Sequence, residues 1–99
     1  MNWISALSYY KVERNIKGLE QTIHKQERRI YLYQEKVITA YREFPIQEVF
    51  DISYRSMGGS GGMLYLHTLN GVYTYTISED PQFFIEAYKS LVRESTDRG

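Results

Sequence analysis

The sequence predicts an α+β fold in which antiparallel strands are flanked by one helix at each end. Three observations carry that expectation. Residues 19–77 break into short runs with apolar side chains at alternate positions, the period of a half-buried strand. Asn70-Gly71 sits between "MLYLHTL" and "VYTYTI", the pattern of a tight hairpin. Asp80-Pro81 precedes a run whose apolar residues recur at helical spacing, the opening of an amphipathic helix. A chain of 99 residues has room for one core, so a single domain is expected across residues 1–99.

The first element is read from Tyr9, Val12, Ile16, Leu19 and Ile23, whose steps of three and four fall on one helical stripe. Gly18 inside a helix costs about 1 kcal/mol relative to alanine. The N-terminal helix is therefore expected over residues 1–17, with Gly18 as the left-handed residue that follows it. Beyond Gly18 the period changes. "LEQTIHKQ", "RIYLYQ" and "VITAYREF" read as a three-strand meander with turns at Glu27-Arg28 and Glu35-Lys36. Two-residue loops there would set Ile23 opposite Leu32, with Ile30, Leu32, Thr39 and Tyr41 on one face and Tyr31, Tyr33, Ile38 and Ala40 on the other.

Pro45 has no amide hydrogen for a ladder and ends the third strand. "IQEVFDISYR" starts the next, with Phe50, Ile52 and Tyr54 facing one way and Asp51, Ser53 and Arg55 the other. Asn70-Gly71 predicts a type I′ turn, in which both central residues take positive φ. Its register pairs Leu69 with Val72 and Leu66 with Tyr75, which collects Leu64, Leu66, Tyr73, Tyr75 and Ile77 on the core side and leaves Tyr65, His67, Thr74 and Thr76 outside. Asp80 caps a helix whose first residue, Pro81, loses no hydrogen bond there. That helix is expected over residues 81–94, with Phe84, Ile85, Tyr88, Leu91 and Val92 on its buried face and "STDRG" frayed.

Composition narrows the function. Twelve basic and twelve acidic residues cancel, so no strong field draws nucleic acid, and none is expected as a partner. Without cysteine there is no disulfide framework and no thiolate, which fits a reducing cytoplasm. "MNWISALSYY" has neither the basic start of a signal peptide nor the roughly 20 apolar residues of a membrane span. His24 and His67 have no further ligand at metal spacing, so no metal or other cofactor is expected. "GGSGG" lies between two strands with no lysine close by and reads as a connector rather than a phosphate cradle. Glu43, Glu48 and Asp51 read as solvated carboxylates, and Ser, His and Asp occur without the strand-turn-helix context of a nucleophile. No catalytic residue is assigned.

"FPIQEVFDISYR" from Phe44 to Arg55, "LYLHT" from Leu64 to Thr68, "GVYTYTI" from Gly71 to Ile77 and "DPQFFIEA" from Asp80 to Ala87 resemble the bacterial pleckstrin-homology-like domains. The resemblance covers about half the chain closely. It implies a curved, barrel-like sheet capped by the C-terminal helix, and no enzyme activity. A complete domain of that kind has seven strands, whereas the sequence reads as six with a helix in place of the first. Some eukaryotic relatives hold inositol phosphates with basic residues at the first hairpin, where Lys25, Arg28 and Arg29 stand here.

Surfaces are what remains. Trp3, Ile4, Leu7, Tyr9 and Tyr10 form an aromatic and apolar segment suited to packing on protein, including a second copy of the chain. The expectation is a non-catalytic interaction module that self-associates in a bacterial cytoplasm. The alternative is a peripheral binder of anionic membranes or lipid head groups that uses the N-terminal aromatics together with Lys25, Arg28 and Arg29.

Overall fold

Strand alternation governs the N-terminal segment: Leu7 and Tyr9, two apart, are buried, while Ser8 and Tyr10 between and beyond them are half-buried. The computed structural model describes residues 3–59 and 61–97, and the side chains within 12–17, 21–24 and 94–97 lie outside the description. The expected environments of Val12, Ile16, Ile23 and His24 therefore fall outside it, as does Ser60. Instead of a helix over 1–17, the chain forms strand β1 (Ser5–Lys17), paired rung by rung with β2 (Glu20–Leu32). Gly18, at φ 63°, supplies a left-handed conformation as expected, but in a hairpin turn rather than after a helix.

Glu27 and Arg28 are not a turn. They lie inside β2 opposite Tyr10 and Tyr9, and Ile23 pairs with Arg14 rather than with Leu32. The chain turns after β2 and forms two short strands, β3 (Lys36–Ile38) and β4 (Glu43–Pro45), in which Val37 meets Leu32 on one side and Phe44 on the other. Tyr41, placed by alternation with Leu32, is exposed because the strand ends at Ile38 and the chain bends. Pro45 then caps a 3-10 turn, Ile46–Glu48.

A β-bulge separates Val49 from Asp51 at the start of β5 (Val49–Ser56). The extra residue shifts the pleat, so Val49 and Ile52 are buried and Phe50 points out, 61% exposed. The expected grouping of Phe50 with Ile52 fails for that reason. Strands β6 (Gly62–Thr68) and β7 (Gly71–Ile77) form the expected hairpin, but one rung earlier. Thr68 stands opposite Gly71 and Leu66 opposite Tyr73, leaving Leu69-Asn70 as the loop. Among described residues only glycines have positive φ, Gly71 at 125° among them, so the turn is not type I′. Thr68 sets it: its hydroxyl donates to the Gly71 carbonyl at 2.9 Å and accepts from the Asn70 amide at 3.1 Å. Each partner moves by two residues, which preserves the faces, and Leu64, Leu66 and Ile77 are buried with Tyr73 and Tyr75 packed on them.

Helix α1 (Gln82–Asp97) begins as expected, with the Gln82 amide donating to Asp80 Oδ1 at 3.0 Å. It runs through Ser95–Asp97 of the segment expected to fray, while Arg98 and Gly99 lie outside the described residues. Phe84 and Tyr88 enter the core, Ile85, Ala87 and Leu91 pack at its margin, and Val92 is exposed. The sheet is antiparallel and ordered β4-β3-β2-β1-β7-β6-β5. Among the described residues its two halves meet in register at Tyr10 opposite Thr76. Among the described residues, β1 and β2 pair with each other alone from Lys11 to Lys17 and from Glu20 to Arg29. That two-stranded ribbon accounts for the long axis of a molecule measuring 60 × 28 × 27 Å.

Candidate functional site

Because the first element is a strand, its residues divide between two faces, and the expected apolar surface divides with them. Leu7, 3% exposed, and Tyr9, 6% exposed, belong to the core and offer nothing to a partner. Trp3 and Ile4 are exposed; the Trp3 ring lies 5.9 Å from Tyr31, and the Ile4 amide donates to the Leu32 carbonyl at 2.6 Å. Tyr10 is half-buried, with Lys25 Nζ 4.4 Å from its ring centre.

The three cations expected to act together are also separated. Lys25 and Arg29 are exposed, and Arg28, adjacent to Arg29 on β2, projects from the opposite face toward the Thr39–Arg42 turn. Its guanidinium carbon lies 4.6 Å from the Tyr41 ring centre, with Lys11 Nζ at 5.2 Å from the same ring. Arg42 stacks on Tyr73 at 4.8 Å. Arg28, Lys11 and Arg42 line one cleft of about 400 Å³ whose other walls carry the hydroxyls of Thr39, Thr74, Tyr75 and Thr76. Among the described residues no carboxylate lines it.

The cleft is built by local hydrogen bonds. The Thr39 amide donates to the Arg42 carbonyl at 2.8 Å, and the Arg42 amide donates back to Thr39 Oγ1 at 3.1 Å. The Ala40 amide inside that turn donates to the Tyr9 hydroxyl at 3.2 Å, and Tyr9 meets Tyr75 edge to face at 5.0 Å. Burial raises the Tyr75 hydroxyl above its ordinary value, opposed by its hydrogen bond with Thr39, so it stays a neutral donor and acceptor. Arg28 donates to Gln26 Oε1 at 2.6 Å, while its Nε is buried without a hydrogen-bond partner. Such a set presents positive charge, flat cationic planes and hydroxyls, which suits an anion carrying its own hydroxyls. Sequence reading missed Lys11, Tyr41 and Arg42. Only the pairing of β1 with β2 and the turn after β3 bring them together; the two-residue step from Tyr9 to Lys11 was the available signal.

On the outer face, Ser53 Oγ and His67 Nε2 share a hydrogen bond of 2.9 Å. Asp51 stands opposite His67 in register, and among described residues no hydrogen bond joins the two. Glu43 pairs with Lys36 at 3.0 Å in a solvent-exposed ion pair, an arrangement of little energetic weight. Among described residues no cluster of His, Cys, Asp or Glu is suited to a metal ion, and no helix is long and apolar enough to cross a membrane. The glycine segment joins β5 to β6 and closes on itself, the Met57 amide donating to the Gly61 carbonyl at 3.1 Å and the Gly61 amide to the Gly58 carbonyl at 3.3 Å. Against known protein families, curated proteins and solved structures, the chain finds no match.

Proposed function

We propose that the chain is a non-catalytic interaction module of the bacterial pleckstrin-homology-like kind that associates with copies of itself in the cytoplasm. Seven antiparallel strands followed by one helix is the element count that the resemblance implies, and it supports the family reading. One observation carries the functional part: the sheet does not close, and in β5, which ends it, Asp51–Ser56 pair among the described residues with β6 on one side and with no strand on the other. An unpaired edge of that length is a template for another strand. Light scattering on the purified protein is expected to give a mass about twice the chain's 11.7 kDa. A mass equal to one chain at every concentration would reject self-association.

A second reading rests on the Lys11, Arg28 and Arg42 cleft, which would hold the phosphate-bearing head group of an anionic membrane. In this reading Arg28 and Arg42 act together, and Arg29, on the far face, does not. Sedimentation with phosphatidylinositol-phosphate vesicles is expected to show binding that weakens as salt rises. Binding should fall about tenfold in Arg28→Ala and Arg42→Ala, since a charge-assisted hydrogen bond is worth about 1.5–3 kcal/mol, and stay unchanged in Arg29→Ala. Equal loss in all three would point to a diffuse surface charge instead of the cleft.

A further inference from the structure

The two edges of the sheet are not equivalent. Strand β4 has three residues and ends in Pro45, features that blunt an edge. Strand β5 has eight residues, Val49–Ser56, and contains neither proline nor lysine. Its bulge before Asp51 disturbs one end only, which leaves Asp51–Ser56 as a regular ladder with its outer hydrogen-bonding groups unpaired by any strand.

We infer that two copies of the chain join through this edge, β5 against β5, antiparallel and centred on Ser53. The inference rests on the self-association reading above and assigns its surface. The sequence of the ladder is complementary to itself under a two-fold axis at that point. Asp51, two residues before Ser53, falls opposite Arg55 of the second copy, and Arg55, two residues after, falls opposite its Asp51. Both side chains are exposed, on the same face of the strand as half-buried Ser53. An isologous contact requires this reciprocity, and opposite charges directly across an antiparallel pair favour it. Moving the axis by one residue, to Ile52 or Tyr54, removes both ion pairs.

The remaining positions fit the same register. Ser53 is a small residue at the axis, with its hydroxyl already bonded within its own chain to His67. On the inner face Ile52 meets Tyr54 of the second copy, and a cleft of about 690 Å³ opens between Tyr54 and the Pro81, Ile85 and Lys89 side of α1. Space for an added strand therefore lies beside the edge. The exposed Phe50 and Met57 flank the ladder, and the two-fold axis brings Phe50 of each copy toward Met57 of the other. A continuous sheet across two copies follows.

Charge exchange tests the register. In Asp51→Arg two arginines face each other twice, in Arg55→Asp two aspartates do, and each variant is expected to dissociate about tenfold or more readily than the native chain. The double variant restores both ion pairs in exchanged form and should recover the native dimer. Mixing the two single variants should yield a heterodimer of native strength, because one chain then presents two arginines and the other two aspartates. Both sites are exposed, so circular dichroism should show all variants folded. A dimer whose dissociation is indifferent to these changes would overturn the β5 seam and leave self-association standing. A monomeric native chain would overturn both.

Discussion

Replacing Phe84 with alanine is expected to destabilise the protein by about 3–5 kcal/mol, while the same change at adjacent Phe83 should shift stability by less than about 0.5 kcal/mol. The two residues have the same side chain and neighbouring places in α1, and differ in what surrounds them. Phe84 is 2% exposed and belongs to the core with Leu7, Ile30 and Leu66, whereas Phe83 is 85% exposed. One turn after Phe84, Tyr88 is buried and its hydroxyl donates to the Val49 carbonyl at 2.7 Å. Burial raises that hydroxyl above its ordinary value, with the Asp51 carboxylate adding to the effect, so the neutral donor is favoured. Phe84 and Tyr88 together fasten the helix over the open side of the sheet. Domains of this size are stable by about 5–15 kcal/mol, so truncating Phe84 removes a large share. Urea unfolding measures both variants, and Phe84→Leu, which keeps most of the volume, supplies a folded comparison expected to lose less than about 1.5 kcal/mol. Similar losses at Phe83 and Phe84 would mean that the helix does not seat as described.

The C-terminal half of this architecture was legible because each local signal agreed with its tertiary use. Asp80-Pro81 reads as a helix start and is one, since an aspartate cap and a proline without an amide fit few other places. The faces of the last hairpin were also legible, although its turn was not. Thr68 competes for the turn with its own hydroxyl, a side-chain effect that the Asn-Gly pair conceals. The N-terminal half misled for a different reason. A strand reveals its period only where one face is buried, and among the described side chains of β1 those in the core are Leu7 and Tyr9. From Lys11 onward its pairing among the described residues is with β2, and the spacings from Val12 to Ile23 imitate a helical stripe. The cationic cleft inherits that opacity. Lys11, Arg28 and Arg42 are far apart in the chain and meet only through the pairing that the stripe obscured. Phe50 is the third case: one inserted residue reverses the pleat, and a bulge has no local sequence mark here.

The glycine segment holds the second large effect, and it falls on one glycine. Gly62→Ala is expected to destabilise the protein by about 2–3 kcal/mol, the upper range for forcing atoms into a filled site. Gly58 and Gly59 have positive φ, at 97° and 57°, and open space where a side chain would project, so they answer to backbone conformation. Gly62 is different: it is buried in the first rung of β6, opposite Ser56. A Cβ there would lie 2.7 Å from the Arg55 carbonyl oxygen and closer still to the ring of Tyr54. A free ring would be displaced at small cost, but the carbonyl belongs to the β5 backbone and cannot move without opening the ladder. An aromatic ring laid over a strand glycine also covers the backbone that glycine leaves bare. Tyr54→Ala in combination with Gly62→Ala separates the two causes. If the ring alone is in the way, the double variant recovers most of the loss from Gly62→Ala; if the Arg55 carbonyl decides, the alanine at position 62 costs nearly as much without the ring as with it. The second outcome is expected, read as two urea midpoints compared across the cycle. Gly61→Ala provides the contrast. Its Cβ would meet nothing nearer than 3.6 Å, ordinary contact, and its stability should stay within about 0.5 kcal/mol of the native chain. A Gly62→Ala protein as stable as native would mean that β5 and β6 are not drawn together at this rung, and the edge offered by β5 would then lack its rigid backing.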